Sequence, residues 1–174
     1  MNLIKILTAV ILIVIATNSQ AALNAYAALQ AGGIALNGDV TMSSIGGLDV
    51  SADHIEIYQI EHNITPGKNK LISGPIVILK RIDQTSPLFL QAMSEGQRID
   101  GDIKIFDIDP DVGVTRHRFT IRLTQAEVVG ISSNLPDAFD ADESNRPPSE
   151  YIQLKPFKLM WVDEINSVEY EVSF

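Results

Sequence analysis

Asp102-Ile103-Lys104-Ile105-Phe106-Asp107, then Asp109-Pro110-Asp111-Val112-Gly113, then Arg116-His117-Arg118-Phe119-Thr120-Ile121-Arg122-Leu123-Thr124: this stretch decides the fold class. The first and third runs alternate with a period of two, and the middle one carries the Pro, Asp and Gly of a turn. Phe119, Ile121 and Leu123 share one face of the second run, and Arg118, Thr120 and Arg122 share the other. The pattern predicts a β-hairpin whose second strand continues through Ala126–Ile131.

Outward from the hairpin the signals stay strand-like. His54–Ile64 alternates but changes phase near Gln59, the mark of a bulge or a barrel corner. Pro66-Gly67-Lys68-Asn69-Lys70 is turn chemistry. Pro75–Ile82 is almost continuously apolar, as in a strand covered on both sides. Downstream, Ser132–Glu150 reads as a polar, acidic loop, and Tyr151–Val162 with Ser167–Phe174 reads as a C-terminal hairpin. Pro156 sits at an edge or bulge position. One helix is predicted over Ser86–Glu95, with Ser86 as N-cap, Pro87 at N1, Gly96 past the end, and Leu88 and Ala92 toward the sheet. The expected fold is mainly β: a compact two-sheet β-barrel or sandwich with one short lateral α-helix.

Composition narrows the function. The 174 residues carry a net charge of −9, which disfavours nucleic acid and anionic membrane surfaces as partners. There is no cysteine, which excludes disulfides, thiol nucleophiles and Cys-ligated zinc. At the N-terminus, Lys5 precedes the apolar run Ile6–Ala16, and Ser19 and Ala21 offer small residues before Ala22. This is the pattern of a secretory signal peptide, and the run falls short of the ~20 residues needed to span a bilayer as a helix. Residues 1–21 are therefore expected to be cleaved, leaving residues 22–174 as a single β-barrel domain, periplasmic or secreted and without a membrane contact.

The sequence holds little catalytic chemistry. His54, Glu56, Glu61 and His62 lack a zinc spacing. Asp107, Asp109 and Asp111 resemble the opening of a calcium loop, but Val112 and Arg118 stand where that loop needs Gly and Glu. The turn reading is therefore preferred. Ile45-Gly46-Gly47 is too short to cradle a phosphate, and no Gly-x-Ser-x-Gly elbow occurs. Neither an enzyme nor a cofactor is expected. Asp137, Asp140 and Asp142 remain as candidate partner-loop residues.

Gly74–Ala92 resembles the central signature of the haemolysin-coregulated protein (Hcp) family, the tube protein of type VI secretion. Pro75, Ile78, Lys80, Ile82, Asp83, Ser86, Pro87, Leu88 and Ala92 fit that signature. Phe119-Thr120-Ile121-Arg122-Leu123 is similar to the second strand of the family hairpin. Glu150–Leu154 and Lys158–Trp161 resemble its closing strands. The resemblance spans roughly residues 24 to 162. It implies a non-enzymatic barrel assembling as a six-membered ring, with rings stacking into a tube that takes small effectors and meets secretion-machine components. It also places the family's ring-stacking loop at Asp39–Asp49, making Met42, Ile45 and Leu48 interface candidates. The signal-like segment departs from the family, whose tube proteins carry none. The alternative function is an exported monomeric binding module that holds a partner protein or glycan.

Overall fold

The computed structural model describes residues 25–51, 54–140 and 146–174. Its strands are β1 (Ala25–Ala31), β2 (Ile34–Ala35), β3 (Ser44–Ile45), β4 (Leu48–Asp49), β5 (Ile55–Glu61), β6 (Ile64–Pro66), β7 (Leu71–Ser73), β8 (Ile76–Arg81), β9 (Ile99–Ile108), β10 (Thr115–Asn134), β11 (Ser149–Lys155), β12 (Lys158–Asp163) and β13 (Val168–Ser173). The helix α1 spans Ser86–Glu95.

The strands run β11-β8-β5-β1-β9-β10, and β10 pairs again with β11, so six strands close into a barrel. Closure depends on β10, which serves two neighbours along one edge. Its first half pairs with β12 (Ile121 opposite Trp161) and its second half with β11 (Ile131 opposite Ile152). β10 bends at Gln125, where φ is +52° and the register against β9 shifts between Leu123 and Ala126. The Asp100 carboxylate accepts a 2.8 Å hydrogen bond from the Gln125 amide, holding a backbone conformation unfavourable for a residue with a side chain. Opposite the bend, Pro156 and Phe157 separate β11 from β12. β13 then extends β12 outward as an edge strand.

The hairpin of β9 and β10 forms as its alternation requires, and β5 carries the expected register shift between Ile57 and Gln59. Inward positions build the core: Ala27 and Leu29 of β1, Ile55 and Ile57 of β5, Ile76 and Ile78 of β8, Ile121 and Leu123 of β10, and Ile152 and Leu154 of β11.

Several details differ from the sequence expectation, among them the division of the Tyr151–Val162 run into β11 and β12. β8 buries alternate residues rather than both faces. The loop after β10 begins only after Asn134, because Ser132, Ser133 and Asn134 pair with Tyr151, Glu150 and Ser149. The helix turns Phe89 and Ala92 to the core, while Leu88 is partly exposed. Its N-cap is Thr85 rather than Ser86, with no side-chain capping bond, because the Thr85 hydroxyl donates to Asp83 Oδ1 at 2.6 Å instead.

Candidate assembly surface

A second apolar cluster lies on the outer face of the barrel. Tyr26 alternates with the inward alanines of β1 and so points outward, meeting Phe106 of β9 edge to face with centroids 6.0 Å apart. Val50 and Ile45 bury against this pair, with Val40 and Leu48 packed on them. Residues 39–50 are thus plastered onto the wall. β3 and β4 form a hairpin closed by Gly46 and Gly47, both with positive φ, as a two-residue turn with matching twist requires. The base of the segment is pinned by Glu56, whose carboxylate accepts hydrogen bonds from the Thr41 hydroxyl at 2.9 and 3.0 Å and from its amide at 3.2 Å. Within this loop Ile45 is buried, Leu48 is half-buried and Met42 is exposed. Met42 is the outward side chain, and the other two hold the loop down.

The loop between β10 and β11 is the opposite case. Leu135 is 78% exposed and Phe139 is 100% exposed, beside the exposed carboxylates of Asp137 and Asp140. Asp137 accepts a 2.8 Å bond from the Phe139 amide, which turns the aromatic ring outward with the loop. Asp142 lies outside the described residues, as does the signal-like segment 1–21. Two large apolar side chains, Leu135 and Phe139, thus stand in solvent in this loop.

A buried charge network reaches the start of the first of these regions, where the Asp39 amide donates to Asp83 Oδ2 at 3.2 Å. The Lys80 side chain is fully buried, and the Asp83 and Glu150 side chains are 2% and 3% exposed. Lys80 Nζ donates to the Arg81 carbonyl at 2.6 Å and to Asp83 Oδ1 and Glu150 Oε1 at 2.8 Å each. The Ser86 hydroxyl donates to Glu150 at 2.6 Å and accepts from the Asp83 amide at 3.0 Å. Burial pushes the Asp83 carboxyl up, but the Lys80 ammonium and the hydroxyl and amide of Thr85 together hold it below its ordinary value. The network ties β8, the start of α1 and β11 into one unit. Lys80, Asp83, Ser86 and Glu150 are also residues that carried the sequence resemblance, so the signature records a buried tie. Lys80 reads in sequence as a charge in an apolar run, and only its pairing with Glu150 shows why it is there.

The metal candidates are not brought together. His62 Nε2 lies 2.9 Å from the Ser73 hydroxyl, Glu56 holds Thr41, and Glu61 accepts from Gln59. Among the described residues no three histidines or acids group to hold an ion. Asp109 closes a turn instead. Its carboxylate accepts from the Asp111 amide and from Arg116, which also pairs with Asp107, and these contacts keep its carboxyl below the ordinary value.

Comparison with known proteins agrees with this architecture. The family model described as "Type VI secretion system effector, Hcp" matches residues 30–162. A crystal structure of an Hcp protein superposes with a TM-score of 0.73 at 18% identity, covering 86% of this chain and 96% of that one. The Hcp1 protein from E. coli EAEC 042 gives 0.70 at 21% identity, covering 87% and 98%. The secreted protein Hcp3 from Pseudomonas aeruginosa gives 0.70 at 20% identity, covering 87% and 97%. No curated protein matches the chain.

Proposed function

The chain belongs to the Hcp family of type VI secretion, and from that premise we propose that it is a self-assembling structural protein whose protomers form six-membered rings. The observation that carries the reading is the family match over residues 30–162, from the end of β1 into β12. The geometry supports it. Among the described residues β13 pairs only with β12 and offers an open sheet edge, which a neighbouring protomer in a closed ring would cover.

Met42 is the residue proposed to meet the next ring, held in place by Ile45 and Leu48 below it and by the Glu56–Thr41 anchor. Asp137, Asp140 and Asp142 are proposed as partner-loop residues. Work without catalysis, cofactor or nucleic acid follows from the same reading, with secretion-machine components or small effectors as further partners. Among the described residues no helix is long and apolar enough to cross a membrane. Residues 1–21 are proposed to be an export signal removed after Ala21, delivering the rest to the periplasm or beyond.

Light scattering on residues 22–174 tests the ring. A mass of six protomers is expected. A monomer across a wide concentration range would overturn the ring and favour an exported monomeric binding module. Intact-mass analysis of the exported chain tests the signal: the expected first residue is Ala22, and a retained Met1 would refute cleavage.

A further inference from the structure

A groove of about 410 Å³ opens where β7, the bend of β10 and the β11–β12 break meet. Its floor is apolar, with Leu71, Ile72 and Phe157 all partly exposed. Its lining also carries three cations, Lys70, Lys155 and Arg98, against one acidic side chain, Glu127. Arg98 is paired with Glu127, whereas no acid among the described residues lies within ion-pair distance of Lys70 or Lys155. A basic lining on a chain of charge −9 is a local inversion of sign.

The exposed loop beyond β10 has the complementary chemistry. Leu135 and Phe139 supply apolar anchors, and Asp137 and Asp140 supply negative charge beside them. We propose that the Leu135–Asp140 loop of one copy seats in the Lys70/Lys155 groove of the next copy. Seating Phe139 would remove about 150–250 Å² from water, while the aspartates meet the two lysines.

The contact is between copies because loop and groove lie at opposite ends of the barrel. The β10 segment from Glu127 to Asn134, at about 3.3 Å per residue, separates them by roughly 23 Å. A loop-to-groove contact of this kind is head-to-tail, and it closes into a ring or propagates along a stack depending on the rotation between copies. The inference rests on the self-assembly reading and names one contact within it.

The absence of native cysteine makes cross-linking clean. The variant carrying both Leu71→Cys and Ala138→Cys keeps Ile72 and Phe139 in place. On oxidation it is expected to give a ladder of covalent multimers on a non-reducing gel, ending at six bands for a contact within rings and running longer for one between them. Each single-cysteine variant is limited to a dimer. In the double-cysteine background, Lys155→Glu is expected to lower the ladder at least fivefold, and adding Asp140→Lys to restore it.

Native assemblies by light scattering without a ladder would overturn this contact and leave the ring reading standing. A ladder from a protein that is otherwise monomeric would keep the contact and overturn the ring. Loss of both would overturn both. Indifference of the ladder to the charge exchange would refute the pairing of aspartates with lysines.

Discussion

Replacing Lys80 with methionine keeps the aliphatic stem in its buried place and removes only the ammonium. The change strands the Asp83 and Glu150 carboxylates, 2% and 3% exposed, beside one another without a cation. Breaking a buried ion pair by removing one partner costs about 3–5 kcal/mol. With a urea slope of roughly 2 kcal/mol per M, the unfolding midpoint falls by about 2 M. Glu150→Gln is the control. It leaves Lys80 and Asp83 one to one and retains an oxygen for Lys80 and Ser86, so the loss is about 1 kcal/mol. Both variants are compared with the parent at one protein concentration, because assembly adds to apparent stability.

The pH dependence has a definite sign. The folded-state Asp83 carboxyl of the parent is held below its ordinary value, so its stabilisation is complete above the unfolded value of about 3.9 and is lost as pH falls through the lower folded value. In Lys80→Met the Asp83 carboxyl loses the ammonium that helps hold it low, so the gap between parent and variant narrows on acidification. A loss below about 1 kcal/mol, or a loss equal to that of Glu150→Gln, would refute the claim that Lys80 neutralises a buried pair.

Gly101 has φ +139°, and an added Cβ would run into the backbone carbonyl of Ala28 on β1. Gly101→Ala should therefore cost about 3 kcal/mol or more, against about 1 kcal/mol at Gly113, where a Cβ meets open space; thermal melts reporting equal losses would contradict the close approach of β9 to β1. Met42→Asp should leave rings intact with unchanged melting and stop stacking in electron micrographs, whereas Leu48→Asp should also lower the melting temperature because Leu48 packs on the outer cluster; tubes formed by Met42→Asp would sink the stacking role. Asp163 bonds the Ile165 and Asn166 amides and the Asn166 side chain, and its carboxyl is held low chiefly by Asn166. The β12–β13 turn should therefore loosen as pH falls through that lowered value, and hydrogen exchange at Ile165 and Asn166 should show it in the parent but not in Asp163→Asn.

Local patterns were readable wherever local chemistry decides the outcome. The β9–β10 alternation, the Pro66–Lys70 turn, the slip near Gln59 and the Gly96 helix end all follow from residues within a few positions of one another. Features set by distant residues were not. Ser86 looks like an N-cap in isolation, but the helix already includes it, and its hydroxyl donates to Glu150 from the far side of the sequence. Phe89 rather than Leu88 faces the core because a ten-residue helix carries too few apolar residues to define its phase. Met42, Ile45 and Leu48 read as equivalent along the loop. Only the outward Tyr26 and Phe106, contributed by β1 and β9, make Ile45 an anchor and leave Met42 outside. The groove beside Lys70 and Lys155 has no local signature, since five separate stretches of the chain line it.

The double pairing of β10 also sets an order of events during synthesis. β11 lies between β8 and β10 and is the last barrel strand in the chain, so until residue 155 is available β8 and β10 each lack a neighbour along the line of closure. A growing chain therefore holds an open, curled sheet from the emergence of β10 until β11 has been made. The late stitch joins segments far apart in sequence, which slows folding and prolongs the interval in which the chain is still threadable.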